Sequence, residues 1–299
     1  MAASSARKIV QMLFLLPLAL QATVPAASVP APMRAEAPLQ HDTRGRPVMA
    51  VRINDRGPFP MVVDTAAQTS LMSRTLAQEL TLRPLPRSIA VTGATGSTAA
   101  RLYPVDRLTN PLLDVRRVAM VELTNSGVTD ARGIIGMESF TGRKLLIDRS
   151  TATIAALPSG PGGTGFATIA GQATAEGFVT VPMTIDGVQL PALVDSGAAV
   201  TVINTAAFRL LGWQDDDPRI GDGGAIRGAS GAQAIRRARI GTLSIGRIAL
   251  SNVPVVVADD GATKPSAILG SDLLNLFPGY AVDFPRRELQ IKLPPAPTK

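Results

Sequence analysis

The sequence predicts an all-β fold built from two homologous, β-barrel-like lobes with short helices. Three observations predict it. The chain repeats itself around a Gly/Pro-rich joint near its middle. Its apolar runs are short, rich in β-branched residues and leucine, and broken by Gly, Pro, Asn and Asp, as in "GFVTVPMTIDG" and "LSIGRIALSNVPVVVAD". Each half also contains a strand-like run that ends on an aspartate, "MVVDTAAQT" from Met61 to Thr69 and "ALVDSGAAV" from Ala192 to Val200. A carboxylate is costly to bury there, so its presence twice asks for a chemical reason.

The chain has 299 residues, enough for one large or two smaller globular domains with a true core. Residues 1–27 read as a secretory signal. Arg7 and Lys8 precede a mostly apolar stretch, Ile9 to Leu20, and small residues follow from Ala22 to Ala27. About a dozen apolar residues fall short of the roughly twenty that cross a bilayer. The expected location is the periplasm or the medium, with an uncleaved N-terminal membrane anchor as the alternative. Membrane contact is expected only in that second case. The lack of cysteine excludes disulfides, thiol nucleophiles and thiolate metal sites, and fits export to a bacterial periplasm. The net charge of +7 includes basic pairs such as Arg116-Arg117 and Arg236-Arg237 set among apolar residues without nearby aromatic stacking partners. They read as solvated strand faces, and no nucleic-acid partner is expected.

Residues 28–47, rich in Ala, Pro and charge, read as a linker. A second linker, 158–170, opens with "PSGPGGTG", whose glycines lack the Gly-Lys-Ser/Thr of a phosphate loop. These joints bound an N-terminal lobe, 48–157, and a C-terminal lobe, 171–294, followed by a tail, 295–299. In both lobes an Asp (Asp55, Asp186) stands nine residues before the key aspartate and a Pro (Pro60, Pro191) four before it. Nine residues after it comes a helix cap, Ser73 or Asn204. Then "TGATG" (Thr92 to Gly96) matches "RGASG" (Arg227 to Gly231), "GIIGMESF" matches "AILGSDLL", and Asp148 matches Asp283. The offsets are 131, 135, 134 and 135 residues, an order and spacing that chance does not produce.

"VVDTAA" and "LVDSGA", each followed some seventy residues later by Ile-Ile-Gly or Ile-Leu-Gly, resemble the pepsin and retroviral aspartic proteases. The set as a whole is similar to a bacterial exported group with two retropepsin-type lobes in one chain. The resemblance covers residues 48–294 and implies a bilobal aspartic-protease-like fold. It also implies a monomeric endopeptidase acting on a peptide or protein substrate, with no cofactor and no metal. It casts Asp64 and Asp195 as the catalytic pair. Hydrolysis without a metal or a covalent intermediate needs a base for the attacking water and an acid for the carbonyl oxygen. Two carboxyl groups about 3 Å apart supply both, because like charges that close cannot both ionise and one proton is shared. The titration then belongs to the pair.

By the same resemblance, Thr65 and Ser196 brace the two loops through hydroxyl-to-backbone hydrogen bonds across the lobe interface. Gly197 brings its backbone close to the carboxylates, as a residue without Cβ can. Ile134-Ile135-Gly136 and Ile268-Leu269-Gly270 pack beneath. The hairpins carrying Gly93, Gly96, Gly228 and Gly231 act as flaps that close over substrate and exclude water. Neither has the tyrosine of pepsin-like flaps, since Tyr103 lies seven residues beyond Gly96.

Ala66 stands where the family usually has Gly. If that position requires positive φ or close substrate approach, the methyl costs about 1 kcal/mol. The alternative function is therefore a catalytically impaired peptide-binding protein on the same scaffold. Ala67 and Ala198 offer no hydroxyl to the carboxylates, which places the expected activity optimum at roughly pH 5 to 6.5. Asp55, Asp186, Asp148 and Asp283 read as turn formers. His41, the single histidine, falls in the first linker and supports neither a triad nor a metal site. Asp215 to Asp217 read as a solvated loop, and Trp213 as a core cap.

Overall fold

Each lobe starts from a tight hairpin whose turn residues adopt left-handed backbone. Pro47–Ile53 and Arg56–Val63 pair around Asn54 (φ 49°) and Asp55 (φ 60°). Val179–Ile185 and Val188–Val194 pair around Asp186 (φ 44°) and Gly187 (φ 87°). Two successive positive φ values give a turn whose twist matches that of the flanking strands, and Asn, Asp and Gly tolerate them best. Along Val179–Ile185 burial alternates residue by residue, with Val179, Val181, Met183 and Ile185 inward. The computed structural model describes residues 35–93, 96–228 and 231–295. The candidate signal, the linker up to residue 34, both hairpin tips (94–95 and 229–230) and the last four residues lie outside them.

Both hairpins then extend into eight-stranded sheets of matching order. In the N-terminal lobe Gly133–Ile135 runs parallel to the second hairpin strand and antiparallel to Leu71–Ser73. In the C-terminal lobe Ala267–Leu269 and Val202–Asn204 do the same. Two 15-residue strands, Gly96–Asn110 and Gly231–Ile245, fold back on the edge strands Ser88–Gly93 and Ile220–Gly228. Short helices follow the capped positions read from the sequence. Ser73 accepts from the Leu76 N–H at the start of Arg74–Glu79, and Asn204 from the Ala207 N–H at the start of Thr205–Leu210. The fold is thus the bilobal all-β architecture expected.

A third sheet corrects the domain reading. It has six strands in the order Glu36–Pro38, Thr153–Leu157, Lys144–Asp148, Gly279–Asp283, Glu288–Lys292 and Phe166–Ala170. Its middle pairs one repeat with the other, Lys144 opposite Asp283 and Ile147 opposite Tyr280. The last strands of each lobe therefore build a shared base. Both linkers contribute to it. Phe166–Ala170 pairs with Glu288–Lys292 and Glu36–Pro38 with Thr153–Leu157, while Gln40–His41 joins Pro47 and Val48 at the edge of the N-terminal sheet. The Pro/Ala composition reads as a linker, yet Ala37 and Leu39 alternate inward at 2% and 8% exposure. A short edge strand needs no more than that.

Asp148 and Asp283 do accept turn N–H groups, from Ser150 and Arg286. They are also buried and cross-linked, to Lys292 and to Ser159 and Gly160 respectively. Trp213 is buried edge-on to Phe208, and Asp217 is tied to Arg219 beside the exposed Asp215. Among the described residues no helix is long and apolar enough to cross a membrane.

Candidate active site

The parallel strand pairs deliver the two aspartates. Val63 lies beside Ile135 and Val194 beside Leu269, and the next N–H in each chain still reaches across. Asp64 N donates to Ile135 O at 3.0 Å, and Asp195 N to Leu269 O at 3.1 Å. Beyond these bonds each chain leaves its sheet, so both carboxyl groups stand at strand ends, where each acts on the other's ionisation.

The loops that follow interlock. Thr65 Oγ1 donates to Val194 O (2.7 Å) and accepts from Ser196 N (3.0 Å). Ser196 Oγ donates to Val63 O (2.6 Å) and accepts from Thr65 N (3.1 Å). Ala66 N donates to Asp64 Oδ1 at 2.8 Å, and Gly197 N and Ala198 N donate to Asp195 Oδ1 at 2.8 and 2.9 Å. From beneath, Met137 N holds Ala67 O, Ser271 N holds Ala198 O, and Ser271 Oγ holds Ser196 O. Gly136 and Gly270 leave no room for a side chain, since a Cβ would stand 2.8 Å from Ala67 O and 2.6 Å from Val200 O.

Burial holds the Asp195 carboxyl well above the ordinary range, reinforced by the negative charge of Asp64 and opposed by its two backbone donors. Burial also raises Asp64, opposed by the Ala66 N–H and by the Arg46 guanidinium. The pair thus keeps a proton where isolated carboxyls would lose theirs.

Gly197 has no positive φ; what it supplies is space. A Cβ there would lie 2.1 Å from Asp64 Oδ2. Ala66, its counterpart, likewise has no positive φ, so the backbone strain considered for its methyl does not arise. The hairpin glycines pair as expected, Gly93 with Gly96 and Gly228 with Gly231. The second hairpin is fastened to the other lobe, because Asn125 Nδ2 donates to Gly228 O (2.9 Å) and Gly231 O (3.2 Å).

Sequence reasoning missed two features here. Glu138 accepts from Ser70 N and Oγ at 2.7 and 2.5 Å, and Asp272 from Thr201 N and Oγ1 at 2.9 and 2.7 Å. Burial raises both carboxyls. The repeat carried the signal, since Glu138 matches Asp272 and Ser70 matches Thr201. The other is Arg46, 3% exposed, which lies in the presumed linker with no counterpart in the second half.

The sequence profile described as aspartyl protease matches residues 49–139 and 181–273. No curated protein matches the chain. Among solved structures, a retropepsin-like aspartic protease from Rickettsia conorii is 20% identical, with a TM-score of 0.35. That match covers 43% of this chain and 99% of the other.

Proposed function

Because the chain belongs to the aspartyl protease family, we propose that it is an aspartic endopeptidase that hydrolyses peptide bonds between its lobes. The observation that carries the reading is the Asp64–Asp195 pair, two carboxyl groups raised by burial at the ends of matching strands. In the proposed step the ionised carboxylate takes a proton from water, whose oxygen bonds to the peptide carbonyl carbon. The protonated carboxyl gives its proton to the carbonyl oxygen, which produces a gem-diol. On collapse a diol proton passes to the carboxylate, the other carboxyl protonates the amide nitrogen, and the C–N bond breaks. The dyad ends as it began, with one proton. The hairpins at Gly93 to Gly96 and Gly228 to Gly231 exclude bulk water.

The substrate is a peptide or protein chain, and the enzyme acts as a monomer. Export through residues 1–27 brings it to the periplasm or the medium, with a mature N-terminus between Ala22 and Met33. N-terminal sequencing of protein from the cell envelope checks this, and an intact Met1 in a membrane fraction favours the anchored form.

Ala66 favours a second reading, a peptide-binding protein that does not cleave, because a methyl occupies the position where the other lobe has only Gly197. Incubation of the purified protein with a mixed peptide library from about pH 3 to about pH 7 decides between them. Cleavage that pepstatin blocks supports the endopeptidase. Retention of intact peptides supports the binder.

A further inference from the structure

We propose that Arg46 is a positioning residue that makes the two carboxyls of the dyad unequal, drawing the ionised form to Asp64 and leaving the shared proton on Asp195. The proposal rests on the endopeptidase reading and deepens it.

The geometry begins with a turn. Asp42 Oδ1 accepts from the N–H groups of Arg44 and Arg46, closing residues 42–46 into a strap. Inside it the Arg46 guanidinium binds Asp42 Oδ2 through Nε (2.8 Å) and Nη2 (2.5 Å). Nη2 also donates to Val128 O at 2.8 Å. Nη1 crosses to the other lobe and donates to Gly197 O at 3.2 Å. The strap is held from that side as well, because Asn275 Nδ2 donates to Gly45 O at 2.7 Å. The guanidinium is therefore fixed at both ends.

Gly197 is the residue whose backbone rests on the Asp64 carboxylate, with its Cα hydrogen where a Cβ would stand 2.1 Å from Oδ2. A cation bonded to the Gly197 carbonyl stands just behind Asp64. Arginine does not titrate in the range where carboxyls do, so its charge is constant. Around Asp64 the other ionisable groups are Asp195 from the facing loop and Glu138 from the turn Met137–Ser139, with Asp42 behind Arg46. Around Asp195 stand Asp64 and the buried phenol of Tyr280, which Arg149 faces from the carbonyls of Asn275 and Phe277. Asp272 is tied to Thr201 below. Glu138 and Asp272 occupy matching positions, but Glu138 sets a negative charge against Asp64, which opposes the ionised form there and which the Arg46 cation counters. Arg46 has no matching residue, because the one 131 positions later is Gly177.

Two identical lobes cannot assign different roles to their aspartates. A fused chain can, and one cation on one side suffices. Asp64 is then the standing base toward water and Asp195 the standing acid. Burial raises both carboxyls, and Arg46 opposes that rise at Asp64 alone, in agreement with the geometry.

The test is the pH dependence of kcat and kcat/KM in the full-length protein and in the variants Arg46→Gln, Arg46→Lys and Asp42→Asn. Losing the cation raises Asp64, so Arg46→Gln moves the acidic limb upward by about half a pH unit or more. Arg46→Lys keeps the limb near its original place. Asp42→Asn uncovers the charge and moves the limb downward, which keeps the test open if Arg46→Gln does not fold. Limbs that stay put in both variants overturn the proposal, whatever happens to the rates. Carboxyl carbon NMR titration of the wild-type protein supplies a readout independent of turnover. Asp195 retaining its proton to higher pH than Asp64 supports the assignment even if no peptide is cleaved. The reverse order overturns it even if cleavage is efficient.

Discussion

Thr65 and Ser196 exchange hydrogen bonds reciprocally across the lobe interface. Each hydroxyl donates to the carbonyl that precedes the other lobe's aspartate and accepts the other loop's N–H. Both residues are sealed from solvent, at 1% and 0% exposure. Each aspartate is thus positioned by the opposite half of the chain, and the site exists only while the lobes are docked.

Removing either hydroxyl strands a buried carbonyl and a buried N–H. Such groups cost about 1–3 kcal/mol each. Thr65→Val and Ser196→Ala should each lower unfolding stability by an amount in that range or above it, measured by urea denaturation with the single tryptophan, Trp213, as fluorescent probe. The double variant should lose less than the sum, because the two hydroxyls brace the same pair of loops. Additive losses would show that the two residues act separately.

The two loops make opposite predictions for a methyl. Gly197→Ala places a Cβ 2.1 Å from Asp64 Oδ2 and 2.2 Å from Cγ, so carboxyl or loop must move. A misplacement of about 1 Å costs on the order of 10²-fold in rate, and that loss of kcat is the expected result. Ala66→Gly should preserve or raise activity, since Ala66 N already holds Asp64 Oδ1 at 2.8 Å and neither backbone is left-handed. A sharp drop there would show that the first lobe has adapted to its methyl.

The duplicated frame was legible because its signals are local. Asn-Asp and Asp-Gly turns and the caps at Ser73 and Asn204 sit within a few residues of their partners, and each aspartate loop carries its signal in one short run. What was missed depends on contacts distant in sequence. Lys144 pairs with Asp283, and Arg46 reaches Gly197 across 151 residues. Composition pointed the wrong way for the strap, because Pro, Ala and charge also describe a linker. Glu138 and Asp272 were available in the alignment of the repeats. They stayed hidden because a single carboxylate after Ile-x-Gly reads as an ordinary helix-start residue.

Holding a proton on Asp195 has a cost in stability that pH reveals. The folded carboxyl sits well above the unfolded value of about 3.9. Between the two values the folded state binds more protons than the unfolded one, so unfolding stability falls as pH rises through that window. Above the window the penalty is constant. Asp195→Asn removes it while keeping an oxygen for the Gly197 and Ala198 N–H groups. This variant should abolish turnover yet melt higher than the wild type at neutral pH, with the gain vanishing below about pH 4. Asp64→Asn should be equally inactive. Full activity in either variant would remove the dyad, and a melting gain independent of pH would remove the titration argument.

Hydroxyl donors placed beside each carboxyl test the unequal dyad from another direction. Ala67 and Ala198 follow the two loops, and their N–H groups already point to Asp64 and Asp195 respectively. A serine at either position can add a donor that favours the ionised form and lowers the pKa of its neighbour. If the shared proton were divided evenly, both substitutions would act alike. With Asp64 as the ionised member, Ala67→Ser should lower the acidic limb, where Asp64 gains its proton. Ala198→Ser should lower the alkaline limb, where Asp195 loses the shared one. The wild-type optimum, lacking both donors, should fall at roughly pH 5 to 6.5. Steady-state kinetics across the pH range reads all three. An optimum below about pH 3.5 would contradict the account of the alanines, and identical shifts in the two variants would restore an evenly shared proton.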